Sequence, residues 1–209
     1  MLAFRYACAV ALTALIALAI PAFASPKKGI GISTNDPHWA MELRESNVAW
    51  YYNWGQDKPA NIPPGIEFVP MAWNGDVAEH LNLPHGTKVL LGFNEPDRPD
   101  QANMTVDQAL ADWPLLEKAD VALGSPAPSW WSADWMKQFM QTAAQQNLRV
   151  DFVCIHWYNV PDPQFFLNTI QQIYATYHKP SGSRSSPWAF SGPTSRPTRP
   201  LRLAPSCKR

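Results

Sequence analysis

The sequence predicts an α/β protein, an incomplete (β/α)8 TIM barrel with strands one to six present and strands seven and eight lost. Three observations predict it. Apolar runs of strand length alternate with amphipathic helical stretches, the pattern of a parallel sheet covered by helices. Polar and aromatic residues gather where those runs end, at Asn53-Trp54, Trp73-Asn74, Asn94-Glu95, Ser125 and His156-Trp157-Tyr158, the end at which such barrels carry their sites. No Gly-x-Gly-x-x-Gly follows the first run, which disfavours a dinucleotide fold.

The elements follow in order. Residues 29–33 read as a short apolar strand and 38–45 as a short helix. The second strand, "VAWYYNW" at 48–54, is rich in β-formers. The third, "EFVPMAW" at 67–73, has Pro70 near its end, and 88–93 is the fourth. Thr105 then opens a helix to 119 as an N-cap, with Gln108 completing a capping-box pattern. Pro114 is an awkward interior breaker of it. Residues 121–125 form the fifth strand. The helix over 133–146 places Trp135, Met136, Phe139, Met140 and Ala143 on one face. "DFVCIHWY" at 151–158 is the sixth strand, and the helix over 164–177 carries Phe166, Ile170, Ile173 and Tyr177 as its stripe.

The chain divides into three stretches. Residues 1–24 read as a signal peptide: Arg5 precedes an apolar run over 7–20, and Ala22-Phe23-Ala24 is a small-residue cleavage site. A secreted protein is therefore expected, in the extracellular space, cell wall or periplasm, with no membrane attachment after cleavage. Residues 25–180 are the partial barrel. They hold 10 Lys/Arg against all 17 Asp/Glu, a balance of −7. That acidic body argues against nucleic acid as a partner. Residues 181–209 hold six Lys/Arg and no acid, rich in Pro and Ser, and read as a disordered tail. Cys154 and Cys207 remain after cleavage, and nothing in their spacing makes them a disulfide framework.

Glu95 is the candidate catalytic acid. Phe93 and Pro96 flank it with apolar surface, which would favour its protonated form. The competing reading is a carboxylate that caps the following loop or pairs with Arg98. Asn94 could bond a sugar hydroxyl beside the reacting carbon. Trp54, Trp73, Trp130, Trp131, Trp157 and Tyr158 could stack on sugar rings, since an aromatic plane is a flat platform for pyranose C–H groups. About half of these six are expected to be core residues. His156 could bond a hydroxyl or sit satisfied in the barrel. Asp97 and Asp100 read as solvated loop acids. Other chemistries lack support: the histidines show no metal-ligand spacing, residues 123–127 make no nucleophile elbow, and no phosphate-cradling loop exists. No cofactor is expected.

Taken together and in this order, "VAWYYNW", "FVPMAW", "LGFNEPD", "LGSPAPS" and "DFVCIHWY" resemble glycoside hydrolase family 128 over about residues 29–180. The resemblance implies retaining hydrolysis of β-1,3-glucan by two glutamates at the ends of strands four and seven. Glu95 matches the acid/base. Asn53, Trp54, Asn94, His156 and Tyr158 match positions around the cleft, and Trp73 and Trp157 join them as candidate glucan contacts. A β-glucan partner and a monomer are expected.

The departure comes after Pro180, where the family usually continues with an apolar strand ending in Thr-Glu-Phe. No Asp or Glu follows Asp162 in these 209 residues. A shifted reading frame is expected to restore one. Codon degeneracy allows residues 181–188 to be written TCT GGG TCA CGG AGT TCG CCG TGG, and with one A in front that choice reads Ile-Trp-Val-Thr-Glu-Phe-Ala-Val; the nucleotide sequence decides between this and a genuine basic tail. The chain as written is therefore expected to be inactive for want of the nucleophile. A non-catalytic secreted β-glucan-binding protein is the alternative.

Overall fold

The computed structural model describes residues 27–157 and 159–179. The signal-peptide and tail expectations, and Tyr158, lie outside them. Among the described residues five strands and five helices follow one another: β1 (Gly29–Gly31), α1 (Trp39–Glu45), β2 (Trp50–Tyr52), β3 (Glu67–Phe68), α2 (Gly75–Glu79), β4 (Val89–Leu90), α3 (Val106–Glu117), β5 (Ala122–Leu123), α4 (Asp134–Gln145) and α5 (Pro163–Tyr177). Among the described residues no helix is long and apolar enough to cross a membrane.

Every pairing is parallel and sequential. β1 pairs with β2 at Gly29–Trp50, and β2 with β3 at Trp50–Glu67. β4 pairs with β5 at Val89–Ala122. A bridge between Met71 and Leu91 joins the two groups, and Gly124–Phe152 adds a sixth extended segment. The gap between β3 and β4 has a local cause. Pro70 has no N–H to donate. Its carbonyl still accepts from Leu91 N at 3.0 Å, and Ala72 N then donates to Leu91 O at 2.9 Å. The ladder therefore starts only past the proline.

Two apolar layers lie on the two faces of these strands. At period two, Trp50 and Tyr52, Val69 and Met71, Val89, and Phe152 form one buried cluster, with Trp73, Leu91, Ala122 and Cys154 packed against it. The opposite faces supply Tyr51 and Phe68 to one helix-side cluster and Ala72, Leu90 and Leu123 to another. This two-sided burial is why the strands read as continuous apolar runs. Gly29 is required by the first layer. A Cβ there would stand 2.0 Å from Trp50 Cε2.

Periodicity slips once, and it slips at the site. Leu91 packs in the first layer, yet Phe93, two residues on, packs edge-on against Trp113 of α3 with ring centroids 5.8 Å apart. Gly92 lies between them. A Cβ on it would meet the backbone of the next strand, 2.8 Å from Gly124 O and 2.9 Å from Pro126 N. The two chains approach closely here and change the facing of everything that follows.

The helices match their sequence reading closely. Thr105 Oγ1 accepts from Gln108 N at 3.2 Å, and Gln108 Oε1 accepts from Thr105 N at 2.8 Å, a complete capping box. Pro114 stands inside α3 on its exposed side without ending it. Leu110, Trp113 and Leu116 are buried on both sides of it, so tertiary packing offsets the one lost backbone bond. α4 buries Met136, Phe139 and Ala143; α5 buries Ile173, with Phe166, Ile170 and Tyr177 packed partly beside it. Asp162 caps α5, accepting from Gln164 N at 2.8 Å and Phe165 N at 3.1 Å. Two readings need correction. α2 is a helix that the sequence did not suggest, capped by Asn74 Oδ1 accepting from Val77 N at 3.0 Å. The sixth strand, expected over 151–158, shows only the Phe152 bridge among its described residues.

Candidate active site

Beyond Leu90 the fourth strand keeps bonding to both neighbours. Asn94 N donates to Trp73 O at 3.0 Å, Ala127 N to Phe93 O at 2.9 Å, and Glu95 N to Ala127 O at 2.8 Å. The last bond fixes Glu95 in a left-handed conformation, φ +42°. A non-glycine residue adopts that region only where its surroundings enforce it. The loop then folds back: Arg98 N donates to Glu95 O at 3.0 Å, Ala102 N to Asn94 O at 3.2 Å and Met104 N to Pro96 O at 2.9 Å.

That backbone aims a buried carboxylate. Glu95 is 9 % exposed. Its Oε1 lies 2.7 Å from His156 Nδ1, across the sheet from the fourth segment to the sixth. Arg98 Nε stands 3.6 Å from the other oxygen. The apolar setting expected from Phe93 and Pro96 is therefore corrected. Phe93 turns to the helix layer because of the slip at Gly92, and two basic groups face the carboxylate instead. The competing reading of a contact with Arg98 is also present in the geometry. Arg98 is exposed and divides itself: its Nε and Nη2 donate to Asp100 at 3.1 and 3.2 Å. That hydrogen-bonded pairing raises the guanidinium pKa and holds the Asp100 carboxyl below its usual range.

Asn94 is 4 % exposed. Its Nδ2 donates to Gln101 Oε1 at 3.0 Å, which orients the amide. Its Oδ1 is buried without a hydrogen-bond partner among the described residues. A buried acceptor left in this state costs about 1–3 kcal/mol, and here it stands next to Glu95. Gln101 was not legible as a site residue, because only the folded loop brings it back seven positions.

The remaining candidates sit around this centre. Asn53 Oδ1 accepts from Gly55 N at 3.1 Å, closing a turn that exposes Trp54. Trp54 has φ +63° and rests edge-on on Tyr52, centroids 5.0 Å apart. Trp130 is exposed and stacks on Trp157 at 6.4 Å and 21°. Phe165 and Phe166 support Trp157 from α5 at 5.3 and 5.1 Å. Trp73 and Trp131 are half-buried against core clusters. Of the aromatic candidates described, two present open rings and three are partly or wholly engaged in packing.

Asp97 was misread, and Ser125 and Cys154 take structural roles that the sequence did not assign. Asp97, expected to be solvated, is half-buried and accepts both the N–H (2.8 Å) and the hydroxyl of Ser129. Ser125 is fully buried; its Oγ accepts from Cys154 N at 2.9 Å and donates to Pro126 O at 2.8 Å, tying the fifth segment to the sixth. Burial pushes the Cys154 thiol up to about 12, which makes it a poor nucleophile near neutral pH. Among the described residues no group of three His, Cys, Asp or Glu is arranged to hold a metal ion.

Comparison with known proteins gives this arrangement relatives. The family model described as glycosyl hydrolase catalytic core matches residues 29–181. Alkali-sensitive linkage protein 1 of Schizosaccharomyces pombe is 30% identical over 146 residues, which is 65% of this chain and 27% of that protein. This chain thus spans about a quarter of that relative's length. A family 128 subgroup I endo-β-1,3-glucanase from Amycolatopsis mediterranei, solved as a glutamate-to-glutamine variant with laminarihexaose, superposes with a TM-score of 0.68. It shares 33% identity over 74% of this chain and 68% of its own. A subgroup III curdlan-specific exo-β-1,3-glucanase from Blastomyces gilchristii, solved with glucose, gives 0.58 at 27% identity over 74% and 73%. With a mixed α/β architecture shared across these structures and a family match covering most of its length, the chain belongs to the glycosyl hydrolase catalytic core family, as a member of glycoside hydrolase family 128.

Proposed function

We propose that this site is the acid/base half of a retaining β-1,3-glucan hydrolase. The observation that carries the reading is the buried Glu95 carboxylate at the end of the fourth strand, 2.7 Å from His156. In the protonated form Glu95 gives its proton to the glycosidic oxygen as the leaving group departs. As a carboxylate it then takes a proton from the water that releases the sugar. His156 holds the carboxylate in place, and the unpartnered Asn94 Oδ1 offers an acceptor to a sugar hydroxyl. Trp54 and Trp130 offer open aromatic faces to the glucan. Solved relatives in complex with laminari-oligosaccharides support the substrate class, and one of them was crystallised with either of two glutamates replaced.

Retention requires a second carboxylate about 5 Å from the first. No acid follows Asp162 in these 209 residues. We place the missing glutamate in the shifted frame of codons 181–188, on the seventh strand of a barrel whose first six strands are β1–β5 and the Phe152 segment. Export through the leader at 1–24 belongs to the same reading, with a polymeric glucan outside the cell membrane as the substrate. The experiment is a laminarin digest with the 209-residue chain, the frame-corrected chain and its Glu95→Gln variant. Reducing ends are expected only from the frame-corrected parent, and brisk release by the 209-residue chain would refute the missing-nucleophile reading. The glucan-binding alternative rests on the open Trp54 and Trp130 rings. It predicts laminarin pull-down by all three chains with no reducing ends from any.

A further inference from the structure

We infer that Asp97 is a positioning residue for Glu95, acting through Ser129. The ladder between the fourth and fifth segments runs from Gly124 N to Leu90 O, from Ala127 N to Phe93 O, and from Glu95 N to Ala127 O. The next residues on the two chains are Pro96 and Pro128. Neither has an N–H, so backbone pairing cannot continue. Immediately past that gap the Asp97 carboxylate takes over. One oxygen accepts from Ser129 N at 2.8 Å, and the other accepts from the Ser129 hydroxyl.

Glu95 is thereby held from both sides. Its own N–H is bonded to Ala127, two residues before Ser129, and Asp97 is bonded to Ser129, two residues after Glu95. Between these points Glu95 has φ +42° before a proline, a combination the backbone disfavours. Without the outer clamp the strained residue is held by the Ala127 bond and its own loop alone, and relaxation toward the extended region becomes easier. That rotation swings the carboxylate away from His156. The Asp97 charge also acts weakly on Arg98, the cation beside Glu95 Oε2. The geometry stands whether or not Glu95 is the acid; only its catalytic consequence rests on the proposed function.

The test reads the ring nitrogens of His156 by 15N NMR in the 209-residue chain, with Glu95→Ala as the reference for a lost hydrogen bond. Asp97→Ala is expected to move the His156 signal toward the Glu95→Ala position. Asp97→Asn, which keeps an oxygen acceptor for one Ser129 bond, should move it less. Ser129→Ala removes only the hydroxyl bond and should also move it in that direction, which provides a second variant if Asp97→Ala fails to fold. Thr105→Ala, a destabilising change on α3, must leave the signal in place. A His156 signal unmoved in both Asp97→Ala and Ser129→Ala, or moved equally by Thr105→Ala, would overturn the inference. Failure of the frame-corrected chain to hydrolyse laminarin sinks the acid/base reading alone and does not touch this result.

Discussion

At the scale of single residues, Glu95 combines a strained backbone with a carboxylate on two basic neighbours, and the two features have different consequences for substitution. Gln keeps the shape and an acceptor for His156 but has no proton to give at near-neutral pH. In the frame-corrected chain Glu95→Gln is therefore expected to lower kcat by at least about 10²-fold, with laminarihexaose binding retained. Titration calorimetry and reducing-end release separate the two. Loss of binding together with rate would mean that Gln has disturbed the site rather than its chemistry. Cys154 gives a second residue-level prediction. With its thiol near 12, the thiolate amounts to on the order of one part in ten thousand at pH 8. Iodoacetamide should leave Cys154 unmodified in the folded chain and label it in denaturant, as read by peptide mass spectrometry. The folded thiol holds its proton more tightly than the unfolded one. Its contribution to stability is therefore full below the ordinary value of 9.0 and is lost as pH rises from there toward about 12. Equal labelling of folded and unfolded chains would refute the raised thiol of this half-buried residue.

At the scale of elements, what was legible in the sequence was what is encoded locally. The capping box of α3 depends on two side chains three positions apart, and it was read correctly from Thr105 and Gln108. Thr105→Ala is expected to cost about 1 kcal/mol, measured as a fall in urea midpoint at unchanged m-value. The stripes of α4 and α5 were likewise visible as periodicity. The slip between Leu91 and Phe93 was not, because it arises from the approach of Gly92 to the backbone of another strand. Reading Phe93 as a flank of Glu95 failed for that reason, and reading Asp97 as solvated failed because its partner Ser129 lies 32 positions away in the sequence. Long-range packing also explains the glycine of β1. Gly29→Ala would drive a methyl group into the Trp50 ring and is expected to cost about 1–3 kcal/mol. A thermal or urea midpoint matching the parent's would show that Trp50 can move aside at no cost.

At the scale of the whole molecule, exposed apolar surface is unevenly distributed. Among the described residues, Val160, Phe165, Leu167 and Tyr174 are all exposed, 58 %, 41 %, 53 % and 56 %. They lie on α5 and the loop before it, next to the point where the family pattern departs from the sequence. Helix α5 is otherwise well made: Asp162 caps it, Ile173 is buried, and Tyr177 donates to Trp131 O at 2.9 Å. Such a helix with three large apolar side chains outside the core, and Val160 exposed just before it, has the character of one awaiting another layer. On the shifted-frame proposal an apolar strand would follow α5 in the sequence. Burying one large apolar side chain is worth about 1.5–3 kcal/mol, and each 1 kcal/mol moves Tm by roughly 2–4 °C at this size. The frame-corrected chain is therefore expected to melt at least about 3 °C above the 209-residue chain, by circular dichroism at matched concentration. It should also bind less of a hydrophobic dye. Should the two chains melt together with equal dye binding, the exposed face of α5 would be its finished surface, and the shifted frame would lose its structural support whatever the codons permit.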